Sequence, residues 1–138
     1  MEAEICVIDP KSYMTYQPFL PGAAAGNLAE RHVVAPLRQI LRDTTVLNGS
    51  VTAISHAGHY VDFQSAAGES RRMSYDILVA ALGSISRTLQ IDGPADHGIG
   101  FKTVGEAIYL RNHVLTRLDI AASAQDPDLR RRALSFVF

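Results

Sequence analysis

The chain has one cysteine, Cys6, in 138 residues, and no tryptophan. A single cysteine excludes an internal disulfide and any zinc cluster built from several thiolates. Cys6 sits within an apolar run, Ile5 to Ile8, where a small packed hydrophobe is expected rather than a reactive thiol. An excess of either charge is also lacking. Thirteen Lys and Arg against 14 Asp and Glu leave a net charge of −1, so nothing draws the whole chain to nucleic acid or an anionic surface. The one basic run, Arg130 to Arg132, follows Asp126 and Asp128 and reads as a solvated helix end or linker. No apolar stretch approaches the roughly 20 residues that span a bilayer. The start, with Glu2 and Glu4, does not read as a secretory leader, which makes a cytoplasmic setting the default expectation.

Several catalytic signatures are missing as well. No G-x-G-x-x-G lies between a strand and a helix; Gly22 and Gly26 give only GAAAG. Gly98-Ile-Gly100 precedes Phe101-Lys102-Thr103, but a phosphate loop needs lysine directly after its last glycine. Thr103 reads more simply as a helix N-cap, with Glu106 completing a capping box. His56 and His59 flank a hairpin turn without a third ligand nearby in sequence, so no metal site is expected. His32, His97 and His113 lack carboxylate or serine partners at catalytic spacing, and no acid–base residue is assigned.

What is present is an ordinary single-domain composition, 47% apolar and 20% charged. Glu4 to Asp9 reads as a buried strand stopped by Pro10, and Tyr13 to Gly26 as a loop broken by Pro18, Pro21 and Gly22. Its aromatics Tyr13, Tyr16 and Phe19 suit a loop that covers something flat. Asn27 to Arg42 has helical spacing, with Asn27 as N-cap and Val33, Leu37, Ile40 and Leu41 in one stripe. Thr45 to Ser55, His59 to Gln64 and Ser70 to Tyr75 alternate like a three-stranded meander, with turns at Ala57-Gly58 and Ala67-Gly68. Tyr75 to Leu82 reads as a second buried strand, and Ser84 to Gly100 as irregular. Thr103 to Ala122 is a long helix, and Leu134 to Phe138 has strand character. Helices alternating with buried strands point to an α/β domain around a parallel sheet.

Taken in order, these segments resemble the flavin-binding half of the two-dinucleotide-fold pyridine nucleotide oxidoreductases, most closely the type II NADH:quinone dehydrogenases. A strand ending in Asp9 is followed by Ser12-Tyr13 and Gln17-Pro18-Phe19, where that family has N-Y-x-x-x-Q-P-L. Ala35 to Leu41 matches APLRxIL; Gly49, Val51 and Ile54 match G-x-V-x-x-I; Tyr75 to Gly83 matches Y-D-x-L-V-x-A-x-G. Gly100 to Thr103 and the RRALSFV tail complete the order.

The resemblance implies an incomplete Rossmann-like, FAD/NAD(P)-binding parallel sheet with a small antiparallel meander. It implies that Asp9 accepts hydrogen bonds from the adenosine ribose, and that Gln17 lies by the flavin. Backbone around Val51 is placed against the adenine, while Ala81 and Gly83 let the main chain approach the cofactor. The family usually has threonine where Leu82 stands, so that hydroxyl is missing here. The C-x-x-x-x-C pair of the disulfide reductases is absent too, which favours a quinone or another small electron acceptor.

Residues 1–130 are then part of an FAD-binding domain without its first strand and glycine loop. Residues 131–138 form the first strand of an NAD(P)H-binding domain. The expected parent is an FAD-dependent enzyme passing electrons from NAD(P)H to the acceptor, with peripheral contact at the inner face of a membrane. The chain alone is expected to bind FAD weakly or not at all, to be inactive, and to self-associate. The alternative is a free-standing α/β regulatory or partner-binding module in which Asp9 merely ends a strand.

Overall fold

The computed structural model describes residues 3–85 and 93–137. Among these the strands are β1 (Cys6–Asp9), β2 (Tyr13–Thr15), β3 (Val34–Pro36), β4 (Thr45–Ser55), β5 (Tyr60–Ser65) and β6 (Ser70–Ser74). The helices are α1 (Leu20–Ala24), α2 (Leu37–Ile40), α3 (Pro94–His97), α4 (Val104–Ser123) and α5 (Pro127–Ala133), with 3-10 turns at Gln17–Phe19 and Glu30–His32. The chain divides into two units, residues 1–14 with 34–84, and residues 15–33 with 85–138.

The first unit holds a four-stranded sheet in the order β1-β4-β5-β6. β1 runs parallel to the first half of β4, from Cys6 opposite Thr45 to Asp9 opposite Asn48. The second half of β4 turns away into an antiparallel meander with β5 and β6, with a bulge between Val51 and Ala53. Gly49 lies at the changeover and is buried: a Cβ there would stand 2.5 Å from the Gln64 carbonyl oxygen and 3.2 Å from the Phe63 ring. The buried residues of this unit include Val61 and Phe63, two positions apart and so on one face of β5 on either side of Asp62, and Leu37 of α2. On the hairpin surface Arg72 forms a bidentate pair with Asp62, at 2.7 and 2.9 Å, and lies 3.8 Å above the Tyr60 ring.

The second unit is helical. α4 starts at Thr103, whose hydroxyl accepts the Glu106 N–H while the Glu106 carboxylate accepts the Thr103 N–H at 2.7 Å, the expected capping box. Ala107 of α4 packs with Leu20, Ala23 and Val33 in one buried cluster. Small residues on both helices let α1 and α4 approach closely.

Several expectations are corrected. The single helix over 27–42 is instead a 3-10 turn, β3 and the short α2, and Asn27 caps nothing. Pro36 explains it: proline lacks the donor a helix interior needs and holds the preceding residue extended. The loop over 13–26 contains β2, a 3-10 turn and α1, because Pro18 and Pro21 occupy first-turn positions where no N–H is required. β1 is half-buried rather than fully buried. Tyr75 to Leu82 is neither strand nor buried, with Ile77 at 86% and Val79 at 80% exposure. A strand is made by its neighbours' hydrogen bonds, and no described strand lies beside this stretch. The tail is α5 as far as Ala133, then a turn at Leu134 with no strand over 135–137; the helix begins at Asp126, whose carboxylate accepts the Asp128 N–H at 2.9 Å, with Pro127 in the first turn. Phe138 and the middle of the irregular 84–100 stretch lie outside the described residues.

Candidate functional site at the end of strand β1

The parallel pairing of β1 and β4 stops at Asp9 and Asn48, and the chain turns sharply at Pro10. Asp9 Oδ1 accepts the Lys11 N–H at 2.7 Å, a local turn typical of aspartate. No described hydrogen bond reaches its other oxygen, Oδ2. A half-buried carboxylate with one oxygen anchored and the other open can accept from a neutral diol. It stands at the carboxyl end of a parallel strand, the edge of an α/β sheet where ligands generally bind.

Across from it, the Asn48 amide donates from Nδ2 to two carbonyl oxygens, Asp9 O at 3.2 Å and Pro10 O at 3.0 Å. The Asn48 backbone carbonyl in turn accepts the Ala66 N–H at 3.0 Å. Asn48 thus ties the Asp9 turn to the β5–β6 hairpin. Sequence reasoning passed over this residue. The available signal was an amide side chain directly before Gly49, in a segment otherwise of strand-forming type.

The other predicted site residues are distributed unevenly. Val51 is on β4, three positions beyond Asn48 and exposed at 38%, beside the bulge that opens the backbone there. Ala81 and Gly83 belong to the same unit but lie on the exposed stretch outside the sheet. Gly83 has φ +69°, a conformation that favours glycine, and a Cβ there would meet nothing within 4 Å. Gln17 opens the 3-10 turn of the other unit and is exposed. Phe19 stacks edge-on against Tyr16, with ring centroids 4.8 Å apart. A hollow of about 320 Å³ beside β4 is lined by Arg38, Asn48, Phe63, Glu69 and Arg71 among others, and Asp9 is not part of its lining.

Titratable groups on β1 and on the hairpin depart from their ordinary values. Burial and the neighbouring Glu4 push the Cys6 thiol up, which keeps it protonated and unreactive at neutral pH. The hydrogen bonds from Arg72 hold the Asp62 carboxyl below the usual carboxylate range, a feature of the hairpin rather than of the β1 end.

No protein-family model matches the chain. Solved structures share its fold. The Rossmann-like α/β fold matches that of NDH2 of Plasmodium falciparum in complex with NADH at a TM-score of 0.83. That match covers 94% of this chain and 27% of the other, at 21% identity. The sulfide:quinone oxidoreductase of Aquifex aeolicus matches at a TM-score of 0.69, over 84% of this chain and 26% of that one, at 19% identity. In sequence the chain is similar, along nearly its whole length, to type II NADH:quinone oxidoreductases. It is 30% identical to the type II NADH:quinone oxidoreductase Ndh of Mycobacterium tuberculosis, over 98% of the chain and 30% of the relative. It is 27% identical to the external alternative NADH-ubiquinone oxidoreductase of Yarrowia lipolytica, over 96% of the chain and 25% of the relative. The chain therefore spans about a quarter to a third of the relatives it matches.

Proposed function

We propose that this chain is part of the flavin-binding domain of an NAD(P)H-dependent enzyme that reduces a quinone. The observation carrying the proposal is Asp9: a carboxylate at the end of a parallel strand, with Oδ2 open, in a chain homologous to NADH:quinone oxidoreductases. When bound, FAD would supply the electron relay between a nicotinamide and the acceptor. The chain's own residues bind and orient it: Asp9 at the adenosine ribose, Val51 through its backbone at the adenine, Ala81 and Gly83 along the cofactor, and Gln17 towards the flavin. The fit is partial, because the sequence offers no glycine-rich turn for the pyrophosphate. In this reading residues 131–138 lead into the NAD(P)H-binding domain. A quinone resides in a bilayer, so the enzyme works peripherally at the inner membrane face; no helix among the described residues is long and apolar enough to cross one.

Two measurements test this. The coding region extended in frame should show a glycine fingerprint on each side. The longer protein should then purify with bound flavin and reduce a quinone with NADH, and a colourless, inactive product overturns the reading. For the 138-residue chain, titration with FAD followed by flavin fluorescence should show no saturation at micromolar concentration. Micromolar binding overturns the role given to the absent pyrophosphate turn. We further propose that the chain self-associates through its open β1 edge and the exposed stretch that follows β6.

A further inference from the structure

We infer that Asn48 is a positioning residue for Asp9, the clamp that presents its carboxylate to a ligand; this rests on the ribose reading of Asp9 given above. A carboxylate can discriminate a diol only if its own backbone is held, since a mobile strand end spreads the acceptor over many positions. Asp9 ends β1, and the following turn has a proline that donates nothing to a sheet. The turn is held from both sides. Lys11 N–H fixes Oδ1 from within, at 2.7 Å, and Asn48 Nδ2 fixes the Asp9 and Pro10 carbonyls from the neighbouring strand, at 3.2 and 3.0 Å.

The arrangement needs an amide at position 48. Two carbonyl oxygens converge on Nδ2, which carries two hydrogens and can serve both. An aspartate of the same shape would bring only acceptors to two acceptors. The main chain that carries the amide is itself anchored, because the Asn48 backbone carbonyl accepts Ala66 N–H at 3.0 Å from the turn after β5. The clamp therefore links the hairpin turn to the carboxylate without any contact between Asn48 and the open Oδ2.

The test compares wild type with Asn48→Ala and with the nearly isosteric Asn48→Asp. One readout is amide hydrogen exchange by NMR. Exchange at Lys11 should rise about tenfold in both variants, while amides of the β5–β6 ladder stay unchanged. The other readout is binding of adenosine 5′-diphosphate against its 2′-deoxy analogue at millimolar concentration. Wild type should prefer the ribonucleotide by about tenfold, the worth of one hydrogen bond to a charged acceptor. Both variants should lose most of that preference. A purely structural role would slow or speed exchange in the ladder as well and leave the preference intact, and that result overturns the inference. Unchanged exchange at Lys11 overturns it too. A wild type with no preference defeats the ribose reading itself and takes the inference with it. A wild-type preference that both variants keep defeats the inference alone.

Discussion

At the scale of single residues, the sheet depends on positions where no side chain fits or only one side chain serves. Gly49 is such a position. β4 changes partners there, from β1 to β5, and the approach of β5 leaves a Cβ no space before the Gln64 carbonyl oxygen, at 2.5 Å. That neighbour is backbone within a ladder and cannot swing aside. Gly49→Ala should therefore destabilise the chain by about 1–3 kcal/mol, the usual cost of overpacking, read from the midpoint of urea unfolding. A change below roughly 0.5 kcal/mol, the range of an ordinary surface substitution, would show that the strands can separate locally. The glycine was legible in the sequence as part of a G-x-V pattern, but its reason was not. That reason is a contact between residues 15 positions apart, Gly49 and Gln64, set by a register that no local pattern encodes. Asn48 escaped notice for the same cause, since its partners, Asp9 and Pro10, come from a strand nearly forty positions earlier.

At the scale of elements, what was legible was whatever local chemistry decides alone. The meander followed from alternation and its Gly turns, and α4 from its stripe and the Thr103–Glu106 box. A direct check is Thr103→Ala, which removes the acceptor for the Glu106 N–H and should cost about 1 kcal/mol, seen as a lower midpoint of thermal unfolding by circular dichroism. An unchanged midpoint would mean that packing of Ala107 against Leu20 and Ala23, not the cap, starts the helix. The elements read wrongly were those for which local and non-local preferences differ. Val33, Leu37, Ile40 and Leu41 recur at helical spacing, yet Pro36 stands among them and outweighs the stripe. Ile77, Leu78 and Val79 have strand chemistry, but a strand exists only where neighbours complete its hydrogen bonds. The tail shows the converse: Asp126 and Pro127 start a helix through short-range contacts, and Arg130, Arg131 and Arg132 suit its carboxyl end.

At the scale of the whole molecule, the surface is more apolar than its parts require. After β6 the chain exposes Ile77 at 86%, Val79 at 80%, Leu82 at 83% and Ile85 at 92%, in a stretch whose one charged residue near its start is Asp76. A run of large apolar side chains left this exposed is uncommon on a soluble monomer and marks a region that something covers. β1 adds to it in the same unit, because it stands at the edge of the sheet and edge strands recruit further strands. Covering the apolar stretch and pairing the edge are both available to a second copy of the chain. Light scattering should therefore give a mass that rises with concentration into the high micromolar range. The double variant Ile77→Lys, Val79→Lys places two charges on side chains that are largely exposed, so it should leave the fold intact and return the mass towards that of the 15.0 kDa monomer. A wild type that stays monodisperse and monomeric at those concentrations would show that the exposed stretch neither pairs nor stacks. A double variant that still associates would point to the sheet edges, and Ile8→Lys, on the β1 edge proposed above, would then have to abolish the association.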